Sequence, residues 1–179
     1  TLHSDLAKAC TQAGIPVVLF NRVASSAPDR AFHSVQTDQK EGMAALTQLL
    51  LARGHRRVAY LAGNLESSTN QAREQGCRRA LQEAQVPLYA YGVGNYEEAT
   101  AQAVVRDWFC SGKRLRKPQE RPDAIVAADD HMAFAAMDLL RHTLGLRVPE
   151  DVSVVGFDDV PQAAWPAYDL TTYAQPLPE

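Results

Sequence analysis

Residues 147–175 read RVPEDVSVVGFDDVPQAAWPAYDLTTYAQ, and the fold is decided here. Val152, Val154 and Val155 form an apolar run that ends in Gly156, Phe157, Asp158 and Asp159. A short apolar run bounded in this way suits a parallel strand covered on both faces. In open α/β sheets, ligands bind just beyond the carboxyl ends of the strands. The adjacent carboxylates of Asp158 and Asp159 therefore fall where a polar ligand would be read. A Pro-containing excursion and a short Thr-bearing strand at 170–173 complete the stretch.

Upstream, helical and extended segments alternate. Residues 4–13 read as a helix stopped by Gly14, and IPVVLF (15–20) as a buried strand. Residues 21–33 are a loop. Asp38 and Glu41 fit a capping box that opens a helix with Met43, Leu46 and Leu50 on one face and a stop at Gly54. Strands follow at 58–62 and 88–93, separated by a polar loop (63–70) and a helix ending near Ala84. Asn95 with Glu98 fits a second capping box, opening a helix to about Cys110. A basic, Pro-containing loop covers 111–122. The strand at 124–128 leads to a helix carrying Ala133, Ala136, Met137, Leu140 and Leu144 and stopped by Gly145, and the strand at 152–156 comes next. This alternation implies right-handed βαβ units and a mainly parallel, doubly wound sheet in an α/β fold. Residues 1–37 hold one helix–strand pair, too little for a lobe of their own.

The chain has 179 residues, 46% of them hydrophobic and 22% charged, an ordinary globular balance. The net charge of −3 and pI near 5.9 argue against a nucleic-acid-binding surface on this piece. Any DNA contact would come from a part not present here. No apolar run approaches the ~20 residues of a membrane span, and no signal segment opens the chain. The start at Thr1, inside or just before a helix, points to upstream sequence. Cys10, Cys77 and Cys110 lack CxxC spacing and read as free cytosolic thiols.

Four strand ends carry polar residues that should face one sheet edge: Asn21 and Arg22 after Phe20, the loop NLESSTNQAR after Gly63, Asp129 and Asp130 after Ala128, and Asp158 and Asp159 after Phe157. Arg73 can lean over that edge and offer a rigid fork of donors. Carboxylates, amides and a guanidinium around a cleft can pair with neighbouring hydroxyls of a sugar or polyol. Each residue also has a duller reading. Asp129 or Asp130 would serve as a helix cap, Asp159 as a turn former, and Arg73 as a neutraliser of carboxylates. Ser67, Ser68 and Thr69 are ordinary helix starters, and Tyr96 and Trp165 ordinary aromatics. Enzyme signals are poor: Gly92-Val93-Gly94 is an incomplete GxGxxG, and Walker A, GxSxG and HExxH patterns are absent. The acidic pairs would suit Mg²⁺ in a phosphatase-like site, but such folds want an Asp directly after the first strand, where Asn21-Arg22 stands.

Several motifs together resemble the lactose-repressor family of bacterial regulators, whose cores are similar to periplasmic sugar-binding proteins. They are IPVVLFNR (15–22), D-x-x-x-G (38–42), GHRRVAYLAG (54–63), AREQGCRRAL (72–81), AIVAADD (124–130), VPEDVSVVGFDD (148–159) and LTTYAQP (170–176). The resemblance covers essentially the whole chain. It implies a two-lobed, type I periplasmic-binding-protein-like core, present in part: residues 1–37 a remnant of the N-terminal lobe, 38–173 the C-terminal lobe, and 174–179 a hinge crossover. The family's DNA-binding headpiece would lie upstream of residue 1.

Carried over by motif, the expected effector-binding residues are Arg73, Asp158, Asp129, Tyr96, Ser67, Thr69, Asn21, Phe20 and Gln175, the last at the hinge. Asp129 stands where the family most often has Asn, and an extra carboxylate should disfavour sugar phosphates unless a cation intervenes. The resemblance implies a cytoplasmic sensor, not an enzyme, that binds a sugar-like effector between its lobes without cofactor or resident metal. It acts on operator DNA through the upstream headpiece, as a homodimer or possibly a tetramer. Arg73→Ala or Asp158→Ala should abolish the response with the fold intact. The rival readings are an extracytoplasmic sugar-binding protein of a transporter and a Mg²⁺-dependent phosphatase.

Overall fold

Four parallel strands make the central sheet of the computed structural model, which describes residues 9–10, 12–21 and 33–175. In chain order the elements are β1 (Val18–Phe20), β2 (His33–Val35), α1 (Gln39–Ala52), β3 (Val58–Ala62), α2 (Ser68–Glu83), β4 (Ala90–Val93), α3 (Glu98–Phe109), β5 (Cys110–Ser111), β6 (Arg114–Leu115), β7 (Ala124–Ala127), α4 (Asp130–Asp138) and β8 (Ser153–Val155). The sheet order is β4-β3-β7-β8. The chain steps outward from β3 to β4, then crosses back to β7 and on to β8. Right-handed crossovers then put α2 on one face and α3 and α4 on the other.

β3 and β7 lie in the middle with every residue buried, which is why VAYLA and AIVA are uninterrupted apolar runs rather than alternating ones. Met43, Leu81, Val105, Ile125, Met137 and Phe157 are among the side chains that complete the core. α1 and α2 cross almost backbone to backbone. A Cβ at Gly76 would lie 2.1 Å from the Lys40 carbonyl oxygen, so only glycine permits this approach. Asp38 caps α1, its carboxylate accepting the Glu41 amide at 3.0 Å, whereas the Glu41 carboxylate, expected to complete a capping box, pairs with Arg79 at 2.6 and 2.8 Å instead.

Cys77 is fully buried in α2, and burial pushes its thiol up to about 11. Cys10 and Cys110 are half-buried. Native protein treated with iodoacetamide at pH 8 should therefore be alkylated at Cys110 and spared at Cys77, with Cys77 reacting only once denatured. Peptide mass mapping reads this directly, and early labelling of Cys77 would contradict the packing.

The N-terminal segment differs from its expectation. The strand within IPVVLF is confined to Val18–Phe20 and is not buried: Val18 is 63% and Phe20 62% exposed. It pairs in parallel with the unanticipated β2, and no other described element covers the pair. An apolar strand signal reports what a strand could pack against, not that a partner layer is there. Of the helix expected over 4–13, the last turn is seen, with the Ala13 amide bonded to the Ala9 and Cys10 carbonyls. Residues 4–8 and most of the expected 21–33 loop lie outside the described residues.

Further corrections are local. Asn95 does not cap α3, which begins at Glu98 after Glu97, a position with no side-chain cap bond. Instead the Glu97 amide bonds the Gly94 carbonyl at 2.9 Å across a tight turn, with Asn95 and Tyr96 both left-handed (φ 55° and 61°). Positive φ at both central residues is the type I′ pattern, and asparagine favours it more than it favours a cap here. The 111–122 loop contains the β5–β6 hairpin and a 3₁₀ turn at Pro118–Glu120. α4 gives way to a π-helical segment at Leu139–Thr143 before Gly145. The strand expected at 170–173 is reduced to one isolated bridge, Val155 with Thr171, and a second bridge, Asp158 with Ala174, lies just beyond it.

Candidate functional site

The carboxyl ends of β3, β7 and β8 open onto one cleft of about 250 Å³, lined by Asn21, Ser67, Thr69, Arg73, Tyr96, Asp129, Asp158 and Gln175. Eight of the nine residues singled out in the sequence thus converge. Phe20, the ninth, does not line it and stays largely exposed on β1.

Arg73 is the centre of the floor. One turn into α2, it is 5% exposed. Its Nε donates to Gln39 Oε1 at 2.7 Å, Nη1 to the Ala128 carbonyl at 2.5 Å, and Nη2 to Asp158 Oδ1 at 2.7 Å. The guanidinium lies 4.0 Å over the Phe157 ring, a cation–π contact that fixes its plane. Phe157 is in turn stacked on Tyr173, with ring centroids 5.1 Å apart. Gln39 and Phe157 were missed in the sequence. Both hold Arg73 from elsewhere in the chain, and only the capping of α1 hinted that the residue after Asp38 turns inward.

Asp158 leaves the end of β8 with φ 116°, followed by Asp159 at 54°, conformations that L residues rarely adopt. Such backbone persists where surrounding contacts over-determine it. Here the Asp158 amide bonds the Tyr173 carbonyl at 3.1 Å while its carboxylate meets Arg73. The same Oδ1 accepts from Gln175 Nε2 at 2.6 Å. Gln175 Oε1 accepts from Asn21 Nδ2 and from the Thr37 hydroxyl at 3.2 Å. One amide therefore ties the cleft carboxylate to the N-terminal segment.

Asp129 caps α4: its Oδ1 accepts the Met132 amide at 2.8 Å, so the duller reading of this residue is also true. Burial pushes its carboxyl above the ordinary value and the charge of Asp158 adds to the rise, while the Met132 amide pulls the other way. Asp130 turns inward, fully buried, and accepts the Val160 amide at 2.9 Å and the Thr172 hydroxyl at 2.6 Å. It braces the strand end rather than the cleft. Ser67 caps α2, with its hydroxyl 2.7 Å from that of Thr69. The turn at Asn95 and Tyr96 lays the Tyr96 ring on Gly63, where an added Cβ would fall 2.1 Å from the ring. The I′ conformation of a tyrosine is the means by which an aromatic face is presented to the cleft. Trp165 is exposed away from it.

The arrangement offers planar acceptors, one guanidinium and one aromatic face, a set suited to gripping a small hydroxylated molecule. Among the described residues, no group of three or more His, Cys, Asp or Glu could hold a metal ion, and no helix is long and apolar enough to cross a membrane.

Known proteins share this architecture. Residues 47–179 match the family of periplasmic binding protein-like domains. The HTH-type transcriptional regulator CelR of Thermobifida fusca is 34% identical over 182 residues, covering 98% of this chain and 50% of that protein. The HTH-type transcriptional repressor PurR of Vibrio vulnificus is 36% identical over 141 residues, covering 78% of this chain and 40% of that protein. The chain thus spans about half or less of these curated relatives. The crystal structure of a regulatory protein of the LacI family from Chloroflexus aggregans superposes with TM-score 0.75 at 32% identity, over 94% of this chain and 58% of that one. A LacI transcriptional regulator from a Rhodococcus species does so with TM-score 0.80 at 26% identity, over 97% and 60%. Parallel sheet, strand-end cleft and these likenesses agree: the chain belongs to the LacI family of transcriptional regulators, whose periplasmic-binding-protein-like domain it carries.

Proposed function

We propose that this chain is the effector-sensing and dimerising core of a cytoplasmic DNA-binding regulator, a sensor and not a catalyst. The observation that carries the reading is the unbroken chain of contacts from Arg73 through Asp158 and Gln175 to Asn21 and Thr37. Residues 38–173 act as the C-terminal lobe, residues 1–37 belong to the N-terminal lobe, and 174–179 cross between them. The exposed apolar faces of β1 and β2 support that division, because they call for a covering layer.

A sugar or polyol in the cleft competes for the Asp158 carboxylate. Whatever it does to the bond from Gln175 is transmitted to the N-terminal segment, which biases the relative position of the lobes. In a homodimer or tetramer that bias changes the spacing of two DNA-binding headpieces, and with it the affinity for operator DNA.

The test is a fluorescence anisotropy titration of the intact regulator with its operator duplex, with and without a cleft ligand. The ligand is expected to change operator affinity by about 5- to 150-fold. Asp158→Ala should hold the affinity at one value whatever the ligand concentration. A variant that responds as well as wild type would contradict the role given to the cleft.

A further inference from the structure

The charge of the cleft is lopsided. Of the eight lining residues, Arg73 carries the only positive charge, against the two carboxylates of Asp129 and Asp158. Arg73 is also largely spent. Nε, Nη1 and Nη2 all have acceptors within the protein, Asp158 included, so little of its donor capacity faces a ligand. Its charge is already matched by Asp158 at 2.7 Å.

Asp129 is left over. It is 7% exposed, yet it lines the cleft. Its Oδ1 takes the Met132 amide, and its Oδ2 has no hydrogen bond among the described residues. That oxygen opens onto the cleft, where a ligand donor can take the place of water. The start of α4 and His131 soften its charge, while Asp158 opposes it. The Oδ2 of Asp158 is almost as open, with only a 3.5 Å contact to Arg73. Hydroxyl donors would fill these acceptors but leave the surplus charge. A phosphate would add to it and find no uncommitted cation in the lining. An ammonium group supplies donors and charge together.

We propose that the cleft selects an amine-bearing sugar or polyol, with Asp129 reading the ammonium group and Asp158, held in place by Arg73, a neighbouring hydroxyl. This rests on the effector reading above and narrows it to one chemical class.

The test is calorimetric titration of the intact protein with hexosamines aminated at different ring positions, each beside its parent hexose, its N-acetylated form and the hexose phosphate. At least one amine is expected to bind about ten- to a hundredfold tighter than both its parent and its N-acetyl form, which keeps the shape but loses the charge. Asp129→Asn retains a good helix cap and should erase that gap. A neutral sugar or sugar phosphate that binds as tightly as its amine would overturn the proposal and leave the effector reading standing. So would an amine preference that survives Asp129→Asn. Silence across every class would overturn both.

Discussion

Arg73→Ala is expected to lower the stability of the fold by about 2–4 kcal/mol and to abolish effector binding. The first effect departs from the expectation drawn from sequence, in which Arg73 stood on the cleft surface and its loss left the fold intact. The structure buries it and gives it three structural partners besides Asp158: Gln39, the Ala128 carbonyl and the Phe157 ring. Truncation leaves two buried acceptors without a donor and an aspartate without its cation. The Asp158 side chain is 28% exposed, so water recovers part of the loss and the expected cost extends below the usual ~3–5 kcal/mol of a broken buried pair. Arg73→Lys keeps the charge but not the fork, and should fall between wild type and alanine in both stability and binding. Urea unfolding gives the stability as a shift of midpoint at constant slope. A wild-type midpoint for Arg73→Ala would show that its buried contacts contribute nothing.

Phe157→Ala should be at least as damaging. The ring is fully buried, stacked on Tyr173 and lying under the Arg73 guanidinium. It also fits against Gly42, where a Cβ would come within 2.9 Å of the ring, so α1 is packed to its shape. Removing a buried aromatic ring costs about 3–5 kcal/mol in transfer and cavity terms. For a domain of this size that is a fall of roughly 6–20 °C in Tm. Because the ring also sets the plane of Arg73, the surviving folded protein should bind effector more weakly at temperatures well below its Tm. Phe157→Leu keeps most of the bulk and should lose less stability while still losing the cation–π contact. If the leucine variant bound effector as wild type does, the ring would be a packing element only.

What could be read from sequence follows a physical boundary. VSVVGFDD announces both a buried parallel strand and the polar group at its end, because burial on two faces demands an apolar run and the sheet edge is where that demand stops. The same logic exposed Asp129 after AIVAA and the polar loop after VAYLAG. These are local signals, and the structure brings those residues together in one cleft. Contacts between remote segments left no comparable mark. Gln39 and Arg73 are 34 positions apart, and nothing in either neighbourhood specifies their bond. The turn at Asn95 and Tyr96 was misread because asparagine serves helix caps and left-handed turns equally well. The exposed face of β1 was misread because hydrophobicity records a preference for burial, not the presence of a partner.

The central claim is that a small molecule held between Arg73, Asp129 and Asp158 is what this protein senses. Its most direct test is a thermal-shift screen of the intact protein against sugars, amino sugars, sugar acids and sugar phosphates, repeated with every hit on Asp158→Ala. A ligand at about 100 times its Kd should add roughly 2.7 kcal/mol to stability. The account predicts at least one such hit in wild type and none for that ligand in Asp158→Ala. A hit that stabilises the variant as much as wild type would place the ligand elsewhere and contradict the account.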